Sequence, residues 1–431
     1  MKILFITYAY PPYNNIGAVR SSKLTEYLKS FGHDIKVLTA DKILYKNNLA
    51  WENPGIEIYR TKWSNINKPF ELIKGGKKNV VSSGSYLSDT QKKNRLIQFI
   101  SKSYKALIYW PDEQIGWFRY AKKIGTEILN DWRPDLIYAS AKPFTSFIIA
   151  NSLSKKFGIP WVGELRDLWV DNHHYQFPRW RYTIENLIEK RIISNACGLV
   201  TVSNTWSKYL INKYNKSTVC IPNGFVAEDF EKARKLQVNN LEKNSILKIV
   251  YTGNIYEHNQ DPSPLLFALQ MNPDWKGKVK VIFYGQNNKH KIENLIKKYN
   301  LRDVEGFISF RSSVSYLESL QIQTSADVLL LLNWNDKKEN GVLPGKLFEY
   351  AGSLRPILCI GYEKGEAVEL IHDRDLGFVS NNADFIGKEI SKLIEQKRNN
   401  TLNDRPFEPV ADLTRKQGAK KLNQFLIGLI K

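Results

Sequence analysis

Lys2-Ile3-Leu4-Phe5-Ile6-Thr7-Tyr8 is an apolar run without polar alternation, and Leu247-Lys248-Ile249-Val250-Tyr251-Thr252 repeats its character in the second half of this 431-residue chain. Such runs suit strands buried on both faces of a parallel sheet. Working outward from the first, residues 17–31 place Val19, Leu24, Leu28 and Phe31 at near-helical spacing, and Gly32 supplies a stop. Strands are predicted next at 34–39 and 135–139, a helix at 144–157, and strands at 160–165 and 198–203. After Pro222-Asn223-Gly224, turn chemistry suited to a linker, strands are predicted at 247–252, 278–284, 306–310, 327–332 and 356–360. Residues 230–244 read as polar and loosely helical, and 413–430 as a final amphipathic helix. Strand–helix alternation implies crossover units and a parallel sheet. The expectation is α/β: two doubly wound, Rossmann-like domains facing each other across a cleft. The first covers 1–222 and the second covers 223–411, with the helical 412–431 after it. Ligands in such sheets bind beyond the carboxyl ends of the strands.

Length and composition agree with this. The chain suits two or three domains, and 42% apolar with 25% charged residues is ordinary for a folded protein. The formal net charge of +20 favours an anionic partner. Between Arg60 and Lys105 eleven Lys and Arg stand against Glu71 and Asp89 alone. A solvated basic face and a surface resting on anionic lipid both account for that tract. Trp63, Trp110 and Trp117 flank it and are candidates for a lipid interface. Cys197, Cys220 and Cys359 are far apart and form no C-x-x-C, which indicates neither a disulfide framework nor a zinc site and fits a reducing compartment. The six histidines show no metal-ligand spacing. The run at 3–10, after Lys2, is short, lacks a small-residue cleavage site and meets Pro11-Pro12, so it reads as a first strand rather than a signal peptide. No run is long enough to span a bilayer, so any membrane association should be peripheral.

Two loops carry chemistry. Tyr10-Pro11-Pro12-Tyr13-Asn14-Asn15-Ile16-Gly17-Ala18-Val19-Arg20 follows the first strand and opens a helix, where backbone N–H groups attract phosphate oxygens and Gly17 permits close approach. A simple tight turn explains it as well. The stronger stretch is Asn340-Gly341-Val342-Leu343-Pro344-Gly345-Lys346-Leu347-Phe348-Glu349-Tyr350. Pro344 and Gly345 suit a helix start, which puts Lys346 at the positive end of the helix dipole. A cation there is unfavourable for the helix and makes sense beside a bound diphosphate. Glu349, three residues on, shares its face and can accept two hydroxyl hydrogen bonds of a ribose. An ordinary surface Lys–Glu pair is the alternative.

At these residues the chain resembles the retaining glycosyltransferases of family 4, which have the GT-B fold. The resemblance takes in the 2–8 strand with its loop to Arg20, residues 32–39, 134–138, 200–203, Ile221-Pro222-Asn223-Gly224, Tyr251-Thr252-Gly253-Asn254, residues 344–350 and Arg355-Pro356-Ile357-Leu358. Residues 110–117 and 163–169 look more narrowly like the branch that builds bacterial surface polysaccharides.

The resemblance implies that the helix at 412–431 returns to the first domain. It implies a nucleotide-sugar donor, with a UDP-sugar favoured, and hexosyl or N-acetylhexosaminyl transfer. It implies a lipid-linked or oligosaccharide acceptor and no need of a metal or other cofactor. On that basis Lys346 contacts the diphosphate and Glu349 the ribose, with Leu347 beside them. Gly253 and Asn254 form the phosphate loop, and Gly17 brings backbone near the donor. Arg20, Ser140, Arg166 and Asp167 face the acceptor, and Lys346 and Asp167 are the catalytic candidates. Asp167 either orients the acceptor hydroxyl or pairs with Arg166.

The chain departs from the family pattern in three places. The first of two glutamates spaced seven apart falls on Gly341, with Glu339 two residues early. The Arg and Lys common after Gly253 are replaced by Asn254-Ile255-Tyr256-Glu257-His258. An acceptor-loop histidine is matched by Ala141 or Ser140. The implied setting is cytoplasmic, with the inner face of the cell membrane as the site of peripheral, anionic-lipid attachment. No nucleic acid is expected as partner. Competing classes are a GT-B nucleotide-sugar epimerase, a basic nucleic-acid-binding protein, and a weakly active subunit of a partner transferase.

Overall fold

The computed structural model describes residues 1–43, 49, 55–67, 103–173, 175–237, 245–256 and 259–430. The chain divides into two compact units, Met1–Pro222 with Ala419–Lys431, and Asn223–Gly418. Most of the basic tract, from 68 to 102, lies outside the described residues, as do 238–244 and Glu257-His258.

The first unit holds a seven-stranded parallel sheet: β1 (Lys2–Thr7), β2 (Asp34–Ala40), β3 (Glu57–Thr61), β4 (Leu136–Ala141), β5 (Trp161–Leu165), β6 (Gly198–Thr201) and β7 (Thr218–Cys220). Their order across the sheet is β3-β2-β1-β4-β5-β6-β7. The chain leaves β1 in one direction and returns to begin β4 on its other side, so the topological switch point lies between β1 and β4. Five of the six β1 residues are buried, because helices cover both faces of the sheet. These are α1 (Ile16–Ser30), α2 (Phe118–Asp131), α3 (Thr145–Phe157), α4 (Arg179–Ile193) and α5 (Asn204–Tyr214). The Asn15 side chain caps α1 by accepting from the Ala18 amide at 2.7 Å, and Gly158, at φ +66°, ends α3 in the left-handed conformation.

The second unit repeats the plan with six parallel strands: β8 (Leu247–Thr252), β9 (Val279–Tyr284), β10 (Ile308–Arg311), β11 (Val328–Leu332), β12 (Ile357–Ile360) and β13 (Gly377–Val379). The order β10-β9-β8-β11-β12-β13 places its switch point between β8 and β11. Its helices are α6 (Ala227–Gln237), α7 (Ser263–Met271), α8 (Asn288–Lys298), α9 (Tyr316–Ser325), α10 (Gly345–Ser353), α11 (Glu366–Asp373) and α12 (Ala383–Arg398). The last helix, α13 (Arg415–Ile430), begins in the second unit and continues in the first, where Ala419, Leu422 and Leu426 join the cluster of Ile3, Phe5, Ile35 and Leu136.

The repeated strand–helix order agrees with the sequence reading, as do the buried runs of β1 and β8. Three short strands, β3, β7 and β13, were not predicted. Each lies at the edge of a sheet, where few residues are buried and the apolar pattern is weak. One expectation is corrected. Trp117 is not at a lipid interface: its ring is fully buried, and Nε1 donates to the Thr61 hydroxyl at 2.7 Å. Among the described residues no helix is long and apolar enough to cross a membrane.

Candidate active site

In the second unit the carboxyl end of β8 runs into Gly253, whose φ of +115° suits glycine and few other residues. The loop is held by amide side chains. Asn288 donates to the Gly253 carbonyl at 2.7 Å and accepts from the Ile255 amide at 3.0 Å. Asn254 accepts from the Gln286 amide at 2.8 Å.

Onto this loop the first turn of α10 delivers Lys346. A Cβ on Gly253 would stand 2.5 Å from its ammonium nitrogen, so the glycine is what lets the cation lie against the loop. Lys346 Nζ donates to the Tyr251 hydroxyl at 2.9 Å and sits 4.3 Å from the centre of that ring. The Tyr251 hydroxyl in turn donates to the Asn254 carbonyl at 3.0 Å. Pro344 occupies the cap position with no side-chain cap, and the first turn of α10 has no acidic residue to offset the helix dipole. Burial lowers the Lys346 pKa to about 8, against the opposing pull of Glu349.

Glu349 lies one turn along the same helix. The buried Gln323 of α9 donates to its Oε2 at 3.3 Å, and also reaches the Thr252 hydroxyl at 3.2 Å and the Ser319 hydroxyl at 3.1 Å. Burial raises the Glu349 pKa, while Gln323, Arg415 and Lys346 work against the rise. The expected donor residues Gly253, Asn254, Lys346 and Glu349 are thus gathered at the switch point of one sheet. Leu347 is fully buried and packs in the core behind them. Glu339 is also buried, in a short turn at Lys337–Glu339.

In the first unit the loops after β1, β4 and β5 converge in the same way. Arg166 donates through Nε to the Ala141 carbonyl at 2.7 Å and through Nη2 to the Lys142 carbonyl at 2.9 Å. Its guanidinium lies on Gly17, where a Cβ would come within 2.5 Å of Nη1. Asp167 follows Arg166 in the same loop. It approaches Lys142 at 3.5 Å, with both side chains more than a third exposed.

Arg20 and Ser140 require a correction. They are 2% and 1% exposed, and both are engaged by the fully buried Glu164. Arg20 Nε donates to Glu164 Oε1 at 2.9 Å, and its Nη atoms donate to the Pro222 and Ile221 carbonyls at 2.8 and 2.7 Å. Ser140 donates to the other Glu164 oxygen. Burial alone would raise the Glu164 pKa, but Arg20 and the Ser140 hydroxyl hold the carboxyl below its ordinary value. These two residues stabilise the interior beneath the loops instead of lining an open surface.

Sequence reasoning missed Tyr251, Gln323 and Glu164. Their roles depend on partners distant in the chain, which leave no local pattern. Among the described residues no group of three or more His, Cys, Asp or Glu could hold a metal ion.

Residues 106–224 match the family described as the glycosyl transferase 4-like domain. No curated protein matches the chain by sequence. In fold it is similar to the Anabaena protein HepE, solved in complex with UDP and glucose, at a TM-score of 0.62 and 15% identity over 99% of this chain and 100% of the other. It is similar to sucrose-phosphate synthase from Thermosynechococcus elongatus at a TM-score of 0.63 and 15% identity, over 99% and 98% of the two chains. The apo form of the lipopolysaccharide outer core galactosyltransferase WaaB matches at a TM-score of 0.55 and 12% identity, over 99% of each chain. The fold is GT-B.

Proposed function

We propose that the chain is a retaining glycosyltransferase, because residues 106–224 match the glycosyl transferase 4-like domain and the fold is GT-B. It moves a hexosyl or N-acetylhexosaminyl group from a nucleotide-diphosphate donor, a UDP-sugar by preference, to a lipid-linked or oligosaccharide acceptor of a surface polysaccharide. HepE is described with UDP and glucose bound, and WaaB as a lipopolysaccharide galactosyltransferase. These support the donor and acceptor classes by analogy of fold.

One observation carries the reading. A lysine, already disfavoured by burial and by the positive end of its helix, is held against a glycine loop at the switch point of the sheet. An anion at that place relieves both costs. Transfer breaks the bond between the anomeric carbon and the β-phosphate oxygen, and forms the bond from that carbon to the acceptor oxygen on the same face. The acceptor proton passes to the leaving phosphate. Charge grows on that phosphate in the transition state, where Lys346 and the α10 amides stabilise it. No metal is needed for this step. Glu349, held by Gln323, takes the ribose hydroxyls, and Asp167 orients the acceptor.

A thermal-shift panel of UDP, GDP and ADP with their sugars tests the reading. The preferred nucleotide at a hundred times its dissociation constant stabilises the fold by about 2.7 kcal/mol, and Lys346→Ala lowers that response. A fold indifferent to every nucleotide overturns the proposal. Product analysis with and without acceptor separates transfer from an epimerase, which would release nucleotide with no acceptor present.

A further inference from the structure

The stretches 110–117 and 163–169 lie far apart in the chain, yet both hold one loop of the first unit. That loop joins β4 to α3 through Lys142, Pro143 and Phe144. It leaves the carboxyl end of β4, beside the switch point between β1 and β4.

The start of α3 has no cap of its own. Phe144 stands at the cap position with helical backbone angles and offers no side-chain acceptor, and the first turn carries no acidic residue. Asp112, 33 residues upstream, supplies what is missing. Its Oδ2 accepts from the Thr145 amide at 3.0 Å, and its Oδ1 accepts from the Thr145 hydroxyl at 2.6 Å. Oδ1 also accepts from the Gln114 amide at 3.1 Å, which fixes the carboxylate in its own turn. Desolvation raises the Asp112 pKa to about 6, while the bonds from Thr145, Gln114 and Phe144 favour the charged form. At neutral pH Asp112 is therefore an anion at the positive end of α3. Elsewhere in this unit the helix caps are local: Asn15 caps α1, and Ser203 caps α5 by accepting from the Trp206 amide. A cap brought from a distant segment does more than stabilise a helix, because it also fixes where that helix start lies.

The second stretch holds the other side of the loop. Arg166 binds the Ala141 and Lys142 carbonyls. The Trp169 ring stacks on Phe144, with centres 4.5 Å apart and planes within 9°. Of residues 141–145 four are buried, and Lys142 alone is exposed. The clamped loop thus presents a single side chain, whose ammonium approaches Asp167 in a pair open to solvent. Such a pair adds little to stability, so the clamp serves placement.

We propose that Asp112 is a positioning residue for the acceptor: through the first turn of α3 it sets the 141–144 loop and places Lys142 beside Asp167, where the two bind a sugar hydroxyl. Asp167 accepts the hydrogen bond of that hydroxyl, and Lys142 donates to its oxygen. The proposal rests on the transferase reading and adds Lys142 to its acceptor contacts.

Hydrogen exchange and surrogate transfer with the full chain test it. In Asp112→Ala the amides of residues 144–148 exchange roughly tenfold faster, while those of β8 and α10 keep their rates. Transfer is followed from the UDP-sugar that gives the largest thermal shift to octyl glucoside, octyl galactoside and octyl N-acetylglucosaminide. Asp112→Ala raises the glycoside KM roughly tenfold with nucleotide affinity unchanged. Asp112→Asn keeps an oxygen for the Thr145 amide and stays within about threefold of wild type. Lys142→Ala raises the same KM, and in that background Asp112→Ala adds less than about twofold, a coupling that a purely structural cap would not show. Additive losses in the double variant overturn the proposal, as does an Asp112→Ala protein that loses stability at unchanged glycoside KM. If Asp112→Ala does not fold, Thr145→Val removes the hydroxyl contact alone, and wild-type exchange and KM in that variant overturn the proposal. A wild type that responds to nucleotide but transfers to none of the glycosides overturns the hydroxyl-binding role. Faster exchange at 144–148 in Asp112→Ala, in a protein indifferent to every nucleotide, marks a failure of the transferase reading instead.

Discussion

The Lys346 ammonium and the Tyr251 phenol, 95 residues apart in the chain, meet twice over: a 2.9 Å hydrogen bond to the hydroxyl, and a 4.3 Å approach to the ring centre. The phenol is fully buried, and burial pushes its pKa well above the usual value, so it stays neutral and holds the cation without neutralising it. The lysine is therefore aimed before any ligand arrives. On the proposed reading, replacing Lys346 by Ala removes a preorganised donor at the point where leaving-group charge develops. The expected loss is about 2–4 kcal/mol of transition-state stabilisation, read as a fall in kcat with a smaller change in donor KM. Turnover close to wild type in that variant ends the assignment of Lys346.

The lowered Lys346 pKa gives a pH dependence. In the free protein the ammonium begins to lose its proton near pH 8. A bound diphosphate favours the charged form, so the pKa in the complex lies higher. Nucleotide affinity is then full below about 8, and falls as pH rises through that value toward the pKa of the complex, by at most about tenfold per pH unit. Calorimetric titration on both sides of that pH measures the fall. Lys346→Arg stays charged throughout and should flatten the profile, whatever it does to absolute affinity. An identical slope in both proteins assigns the titration to another group.

Gln323 supports Glu349 from behind. Its side-chain oxygen is buried without a hydrogen-bond partner, while its nitrogen serves Glu349, Thr252 and Ser319. Gln323→Leu keeps the volume and removes that unsatisfied acceptor, so its net cost in stability should be small, on the order of 1 kcal/mol. Glu349, deprived of a donor to its charged form, shifts its pKa further upward. If Glu349 binds ribose, donor KM rises about tenfold and kcat holds. A variant that loses stability while retaining donor KM would show that Gln323 has a packing role alone.

Residues differ in how far the sequence reveals them. Residues Ile3–Ile6 of β1 and Val328–Leu332 of β11 are legible because burial on both faces demands apolar residues at successive positions. The Pro344-Gly345-Lys346 turn is legible because the helix start and the misplaced cation are both local. Tyr251 is not, since a strand tyrosine looks the same whether its hydroxyl meets water or Lys346. Arg20 misleads for a related reason. A lone arginine in a loop-to-helix segment reads as exposed, and what buries it is Glu164, 144 residues away. In α4 the core side carries Glu185 and Glu189 as well as Ile192 and Ile193, and the carboxylates are hidden from a sequence reading because their partners Trp169, Tyr175 and Val170 lie outside the helix.

The buried position of Arg20 turns an expected acceptor contact into a stability prediction. Arg20→Met keeps much of the volume and takes from the buried Glu164 its closest cation, leaving the Ser140 hydroxyl and the weaker pull of Arg166. Removing one partner of a buried ion pair costs about 3–5 kcal/mol, because the other charge is stranded. It also frees the Ile221 and Pro222 carbonyls that Arg20 holds at the end of the first unit. Glu164→Gln removes the charge instead and should restore part of the loss when combined with Arg20→Met. The sign with pH follows from the depressed Glu164 pKa. Its contribution is present above the unfolded-state pKa and fades as pH falls through the folded-state value, so wild type and double variant converge in stability at low pH. Denaturant titrations of the four proteins across that range measure the coupling. If Arg20→Met instead raises acceptor KM at unchanged stability, the interior role is wrong and the arginine belongs with the acceptor.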